Sequence, residues 1–207
     1  MSRILLLLVA VAGCATTQAV DPNAMGTMSD LTISSRAPLC VHRIPGDVCV
    51  RCHPDQIPRF KAINDWCPPH DVAESQCYDC HDLDFTPLPE EPPGADIKRI
   101  AADGEDVGEL SQHAVKGKVT LFDFYAPWCG PCRKVDAHVL ALLSKRSDVA
   151  YRRLNVGSWE SALAKRWLKD VDGLPYVRVH GKNGGFVAAV AGLDLAALDR
   201  AIEQAAR

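Results

Sequence analysis

Two cysteines two residues apart, where a strand pattern gives way to a helix pattern, constrain this chain more than any other feature. Val119-Thr120-Leu121-Phe122-Asp123-Phe124-Tyr125 reads as a buried strand, since a near-continuous apolar run suits a sheet covered on both faces. Arg133 to about Lys145 reads as a helix, and between the two stands Trp128-Cys129-Gly130-Pro131-Cys132. The first sulfur then lies at a helix N-terminus, where unpaired N–H groups and the helix dipole favour thiolate over thiol. The second cysteine, one turn along, is near enough to close a disulfide with the first. The arrangement predicts a reversible two-electron redox switch. A closed structural disulfide or half of a zinc site are the plainer alternatives; the strand, the Trp and the Gly-Pro insert favour the switch.

The run Asp123-Phe124-Tyr125-Ala126-Pro127-Trp128-Cys129-Gly130-Pro131-Cys132 resembles the active-site signature of the thioredoxin family. The resemblance extends from near Ala95 to Arg207 and implies an α/β thioredoxin fold, a mixed central sheet flanked by helices. The element pattern agrees. Strands are expected at Ile97–Ala101, Lys118–Tyr125, Val149–Val156, Tyr176–His180 and Phe186–Ala191. The last two surround the turn Lys182-Asn183-Gly184-Gly185. Helices are expected at Val107–Val115, Arg133–Lys145, Ser158–Leu168 with Ser158 as N-cap, and Leu195–Ala205.

The same resemblance implies roles. Cys129 attacks a disulfide and Cys132 resolves the mixed disulfide. Asp123 is the buried acid that serves proton transfer at Cys132; a carboxyl among apolar neighbours has a raised pKa on physical grounds as well. Leu174-Pro175 is a cis-proline loop presenting backbone to the substrate, and Gly192 leaves room for a partner chain. Trp128, Gly130 and Pro131 complete the substrate-facing surface. The Gly-Pro insert resembles reducing members of the family. That implies a protein-disulfide reductase with disulfide-bearing protein substrates, an outside electron donor and no cofactor in this domain. Two positions depart from the pattern. Arg153 stands where a lysine is common and stays charged, which argues against a proton relay through it. Leu174 replaces the commoner Ile or Thr. His113, His138 and His180 are expected to have no catalytic role, and Trp159 and Trp167 to be core residues of the third helix.

At the other end, Ile4 to Ala12 is an uncharged apolar run behind Arg3, too short to anchor in a bilayer but long enough for a secretory signal. Val11-Ala12-Gly13-Cys14 resembles the lipobox of bacterial lipoproteins. It implies a signal peptide over residues 1–13 and a lipid-bearing Cys14. Acyl chains tether a protein without spanning the membrane. Ala15 in place of Asp favours the outer membrane, with the protein facing the periplasm, where disulfides form. Residues 14–38 read as a flexible tether.

Residues 39–82 repeat themselves. Cys40-Val41-His42 is followed after six residues by Cys49-Val50-Arg51-Cys52-His53, and Cys67-Pro68-Pro69-His70 after six by Cys77-Tyr78-Asp79-Cys80-His81. Three readings fit. A metal site in each copy would use Cys40, His42, Cys49 and Cys52, then Cys67, His70, Cys77 and Cys80; three thiolates and an imidazole suit tetrahedral zinc, and thiolate also suits copper(I). Two c-type haems would use the Cys-x-x-Cys-His words with His53 and His81 as ligands. Structural disulfides are the third. The metal reading alone uses every repeated cysteine and both leading histidines. Asp65-Trp66-Cys67-Pro68-Pro69-His70 with Glu74-Ser75-Gln76-Cys77 also resembles cysteine-histidine repeats of heavy-metal efflux adaptor proteins. These readings carry two further function classes, a metal-handling protein whose thioredoxin domain keeps the repeat reduced, and a dihaem electron carrier. Phe60, Ile63 and Trp66 are expected to form a small core beside a helical turn at Ile57–Ile63.

Residues 83–95, with Pro87, Pro89, Pro92, Pro93, Glu90 and Glu91, read as a stiff linker to a domain over 96–207. The formal net charge of −3 supplies no basic footprint for nucleic acid.

Overall fold

The computed structural model describes residues 35–207. The signal segment, Cys14 and most of the tether lie outside them. Strands β1 (Asp96–Ala101), β2 (Val119–Tyr125), β3 (Val149–Asn155), β4 (Tyr176–His180) and β5 (Phe186–Ala191) form one sheet in the order β1-β3-β2-β4-β5. β3 runs parallel to β1 and β2, whereas β4 runs antiparallel to β2 and β5. The sheet is the mixed one that the pattern predicts. All seven residues of β2 are buried, because layers cover both of its faces.

One face packs Val119, Leu121, Tyr151 and Val179 against helices α2 (Gly130–Leu143) and α4 (Leu195–Ala206). The other packs Phe122, Phe124 and Leu154 against Leu110 and helix α3 (Ala162–Trp167). Side chains alternate along a strand. Asp123 and Arg153 therefore project on the side of Leu121 and Tyr151, towards α2.

Three elements depart from the sequence reading. Val107–Val115 is not an α-helix: Gly108 takes a left-handed φ of 70°, which stops a helix from propagating, and only a 3-10 turn at Leu110–His113 forms. α3 starts at Ala162 with Ser161 as N-cap, its Oγ accepting from the Ala164 N–H at 3.1 Å. Gly157 at φ 66° turns the chain before that point. Trp159 consequently precedes the helix and is 41% exposed, not core, while Trp167 packs beside Phe124. α2 starts three residues before Arg133, with Cys129 as its N-cap. Pro131 sits in its first turn, where a missing N–H costs no helical bond.

Residues 39–82 build a second, smaller core around Phe60, Ile44, Val72 and Cys49, with Ile63 and Trp66 partly buried against it. Helix α1 (Ile57–Ala62) supplies Phe60. Gln76 joins the two copies of the repeat, donating from Nε2 to Val48 O at 2.7 Å and accepting from the Val50 N–H at 3.0 Å. Leu83 and Phe85 pack on this core too, so the chain leaves it along the surface of α2. There Arg133 Nη2 donates to Thr86 O at 2.6 Å.

Candidate redox site and the adjoining cysteine-histidine clusters

Cys129 and Cys132 form a disulfide, their Cα atoms 5.3 Å apart. The Cys132 N–H, one of the donors a helix start leaves open, points at Cys129 Sγ at 3.1 Å. Tyr125, Ala126, Trp128 and Leu174 pack around the pair. The Leu174–Pro175 peptide bond is cis. Pro175 O accepts from the Gly192 N–H at 2.8 Å, and nothing lies within 4 Å of where a Gly192 side chain would begin. Gly192, at φ 74°, thus leaves open space beside the proline loop.

Asp123 is completely buried on the strand that leads into the pair. The Tyr151 hydroxyl lies 2.5 Å from its Oδ2 and 2.7 Å from Asp136 Oδ1. Asp136 Oδ2 accepts from Arg153 Nη2 at 2.6 Å, and the Arg153 guanidinium lies over the Tyr125 ring at 4.6 Å. Asp123 Oδ1 is buried with no hydrogen-bond partner among the described residues. Burial, reinforced by the Asp136 charge, pushes Asp123 up to about 7; the Tyr151 bond and Arg153 oppose this in part. Burial and the two carboxylates hold the Tyr151 phenol well above its usual value. The site therefore contains a cysteine pair and a buried carboxyl that exchanges its proton near neutrality.

The thioredoxin family model matches residues 108–204. Thioredoxin AMT13 of Alternaria alternata is 35% identical over 88 residues, which are 42% of this chain and 71% of that protein. The chain belongs to the thioredoxin family. Thioredoxin-2 of Saccharomyces cerevisiae is 31% identical over 85 residues, 41% of this chain and 78% of that protein. Among solved structures, Fasciola hepatica thioredoxin is 27% identical with a TM-score of 0.37, over 44% of this chain and 84% of that one.

In this thioredoxin domain the fold gathers Trp128, Cys129, Cys132 and Leu174 into one cluster, with Gly192 bonded to Pro175. The sequence reading missed Tyr151 and Asp136. Asp136 lies four residues after Cys132, one turn along α2, and is 3% exposed. A carboxylate on the buried face of that helix was the available signal. Tyr151 gave none, because an aromatic in a buried strand reads as core.

A third set of partners comes from outside the domain. The His81 ring stacks on Trp128, centroids 4.6 Å apart at 21°. His81 Nε2 pairs with Glu74 Oε1 at 2.5 Å. The Gly130 N–H, another open donor of α2, donates to Asp82 O at 3.0 Å. A groove of about 660 Å³ lies beside Trp128, lined by Trp66, Glu74, His81, Asp103 and Trp159.

The repeat folds into two separate clusters. His42 Nδ1 lies 3.7, 3.5 and 3.4 Å from the sulfurs of Cys40, Cys49 and Cys52. His70 Nδ1 lies 3.3, 3.4 and 3.4 Å from those of Cys67, Cys77 and Cys80. All donor atoms of a cluster lie within 4.8 Å of one another. His53 and His81 belong to neither cluster. In the first cluster one thiolate is favoured at its neighbour's expense: against its burial, hydrogen bonds from the His42 and Ile44 backbone and from Cys49 and Cys52 hold Cys40 down at about 6, while contact with Cys40 pushes Cys52 up to about 11; in the second, burial pushes Cys67 up to about 12.

Proposed function

We propose that this protein is a membrane-tethered, extracytoplasmic thiol–disulfide oxidoreductase of the protein-disulfide reductase type. The observation that carries the reading is the Cys129–Cys132 pair at the start of α2, on a strand whose last buried polar residue is Asp123. In the reduced enzyme the Cys129 thiolate attacks one sulfur of a substrate disulfide. A Cys129–substrate disulfide forms, and the first substrate sulfur leaves and takes a proton. The Cys132 thiol gives its proton to the Asp123 carboxylate and attacks Cys129 Sγ. The second substrate sulfur leaves as a thiolate and takes a proton from solvent, and the Cys129–Cys132 disulfide closes. The substrate has gained two electrons and the enzyme has lost two, which a dithiol donor returns.

The cis-proline loop at Leu174-Pro175 and the open space at Gly192 offer backbone and room for an extended substrate chain. Tethering rests on the sequence at Ile4–Cys14: a short apolar run ending in small residues before a cysteine. On that reading, Cys14 carries the lipid of a bacterial lipoprotein in the cell envelope, facing the periplasm, with the outer membrane favoured.

The test is reduction of insulin by purified protein with dithiothreitol as donor. Turnover should be lost in Cys129→Ser, and Cys132→Ser should accumulate a substrate mixed disulfide that mass spectrometry detects. Full turnover by Cys129→Ser refutes the mechanism. For the tether, Cys14→Ser should move the protein from the membrane to the soluble fraction; unchanged membrane association refutes the anchor.

A further inference from the structure

The geometry points to one zinc ion in each copy of the repeat, the first held by Cys40, His42, Cys49 and Cys52 and the second by Cys67, His70, Cys77 and Cys80. The inference is independent of the redox reading.

Distances carry it. Ligands at the usual zinc–sulfur and zinc–nitrogen lengths, at the corners of a tetrahedron, stand about 3.6 Å apart for sulfur to nitrogen and about 3.8 Å for sulfur to sulfur. The sulfur–nitrogen separations here run from 3.3 to 3.7 Å in six contacts, and Cys67 and Cys80 stand 3.7 Å apart, sulfur to sulfur. A disulfide would bring two sulfurs to about 2.05 Å. Cys129 and Cys132 are so joined, whereas these six are not. The spacing is that of ligands around a common centre.

The backbone is built for it twice over. Arg43 and Asp71, each the residue after the cluster histidine, take left-handed φ values of 61° and 52°. Such conformations are uncommon outside glycine and persist where surrounding structure fixes them. In each Cys-x-x-Cys turn the first cysteine's carbonyl accepts from the next cysteine and from the residue after it: Cys49 O from Cys52 and His53, Cys77 O from Cys80 and His81. The same turn in both copies sets two sulfurs towards one imidazole. Nine buried residues make a small core for a segment of this length, and ligand binding contributes to its folding directly.

Haem fits less well. The Cys-x-x-Cys-His words would need His53 and His81 on iron, but His81 is stacked on Trp128 and paired with Glu74. The cysteines of those words face His42 and His70 instead. Each zinc enters by displacing three thiol protons, with the imidazole neutral, so no oxidant or reductant is consumed.

The test is elemental analysis of the purified full chain, followed by cobalt(II) titration after chelation. Two zinc ions per chain are expected, and two equivalents of cobalt should develop the visible bands of tetrahedral cobalt thiolate. Cys52→Ser and Cys80→Ser alter the exposed cysteine of each cluster and should each leave one ion; insulin reduction in each variant reports that the thioredoxin domain has folded. Thiol alkylation with mass spectrometry supplies a readout free of mutation: in the native protein the six cysteines should resist alkylation until a chelator is added. A Soret band, copper in place of zinc, disulfides among the six cysteines, or any stoichiometry other than two overturns the assignment.

Discussion

Tyr151 sets its hydroxyl oxygen 2.5 Å from Asp123 Oδ2 and, at the same time, 2.7 Å from Asp136 Oδ1. A hydroxyl has one proton and can donate to only one of them. For both short contacts to be hydrogen bonds, one carboxyl must itself carry a proton. Asp123, fully buried and raised to about 7, is the group that holds it.

Asp123→Asn tests this directly. The carboxylate accepts the Cys132 proton only when ionised, so wild-type turnover should rise with pH through about 7. Asn should lower turnover about 10²- to 10⁴-fold and flatten that rise, on the scale of general base catalysis. Stability carries the opposite sign. The folded pKa lies above the ordinary carboxyl value of 3.8, so this contribution is complete below about pH 4 and is lost as pH rises through about 7. The loss amounts to as much as ~4 kcal/mol. Urea denaturation at pH 5 and 8 should show it in wild type and not in Asn; equal pH slopes would count against the shared proton.

Once Asp123 ionises, the Tyr151 hydroxyl donates to its carboxylate; Tyr151→Phe removes that bond, which opposes the rise at Asp123. The inflection of the pH–rate profile should move upward, and stability should fall by about 1–3 kcal/mol as buried carboxylate oxygens lose a partner. A downward move of the inflection would contradict the network.

Gly130→Ala probes the contact between the two parts of the protein. A Cβ there would meet Asp82 O at 2.0 Å, a backbone atom that cannot swing aside. Alanine favours the helix more than glycine does, so α2 should persist. Hydrogen exchange should quicken at residues 82–86 and stay unchanged in β2 and β3. Unaltered exchange at 82–86 would show that the contact is not held in solution.

Chelation separates the two cores. With zinc removed, residues 39–82 should lose structure, since structural zinc contributes on the order of 10 kcal/mol in small domains. The thioredoxin domain, with its own two apolar layers, should keep its melting temperature within a few degrees. A simultaneous collapse of both would mean that the repeat holds up the sheet.

The strand entering Trp128 and the succession of strands along the chain were legible from their apolar patterning, which places β2, β3 and β4 within a residue or two; their order in the sheet was not. The helix ends were less so. Ser158 and Ser161 are equally good caps by residue type, and only the left-handed Gly157 and the turn behind it place the start at Ser161. At Val107–Val115 the apolar spacing is helical, but one glycine conformation cancels it.

By itself the sequence determined what is local: a cysteine pair at the mouth of a helix, and two donor sets repeated at the same interval. These follow from short spacings along the chain, which a single turn converts into proximity. Only the tertiary structure decided what surrounds them. Asp123 meets Tyr151 because β3 lies beside β2, and Asp136 because α2 packs over both. His81 reaches Trp128 because the repeat folds as its own core and docks at the start of α2, using a helical N–H that its own helix leaves unpaired.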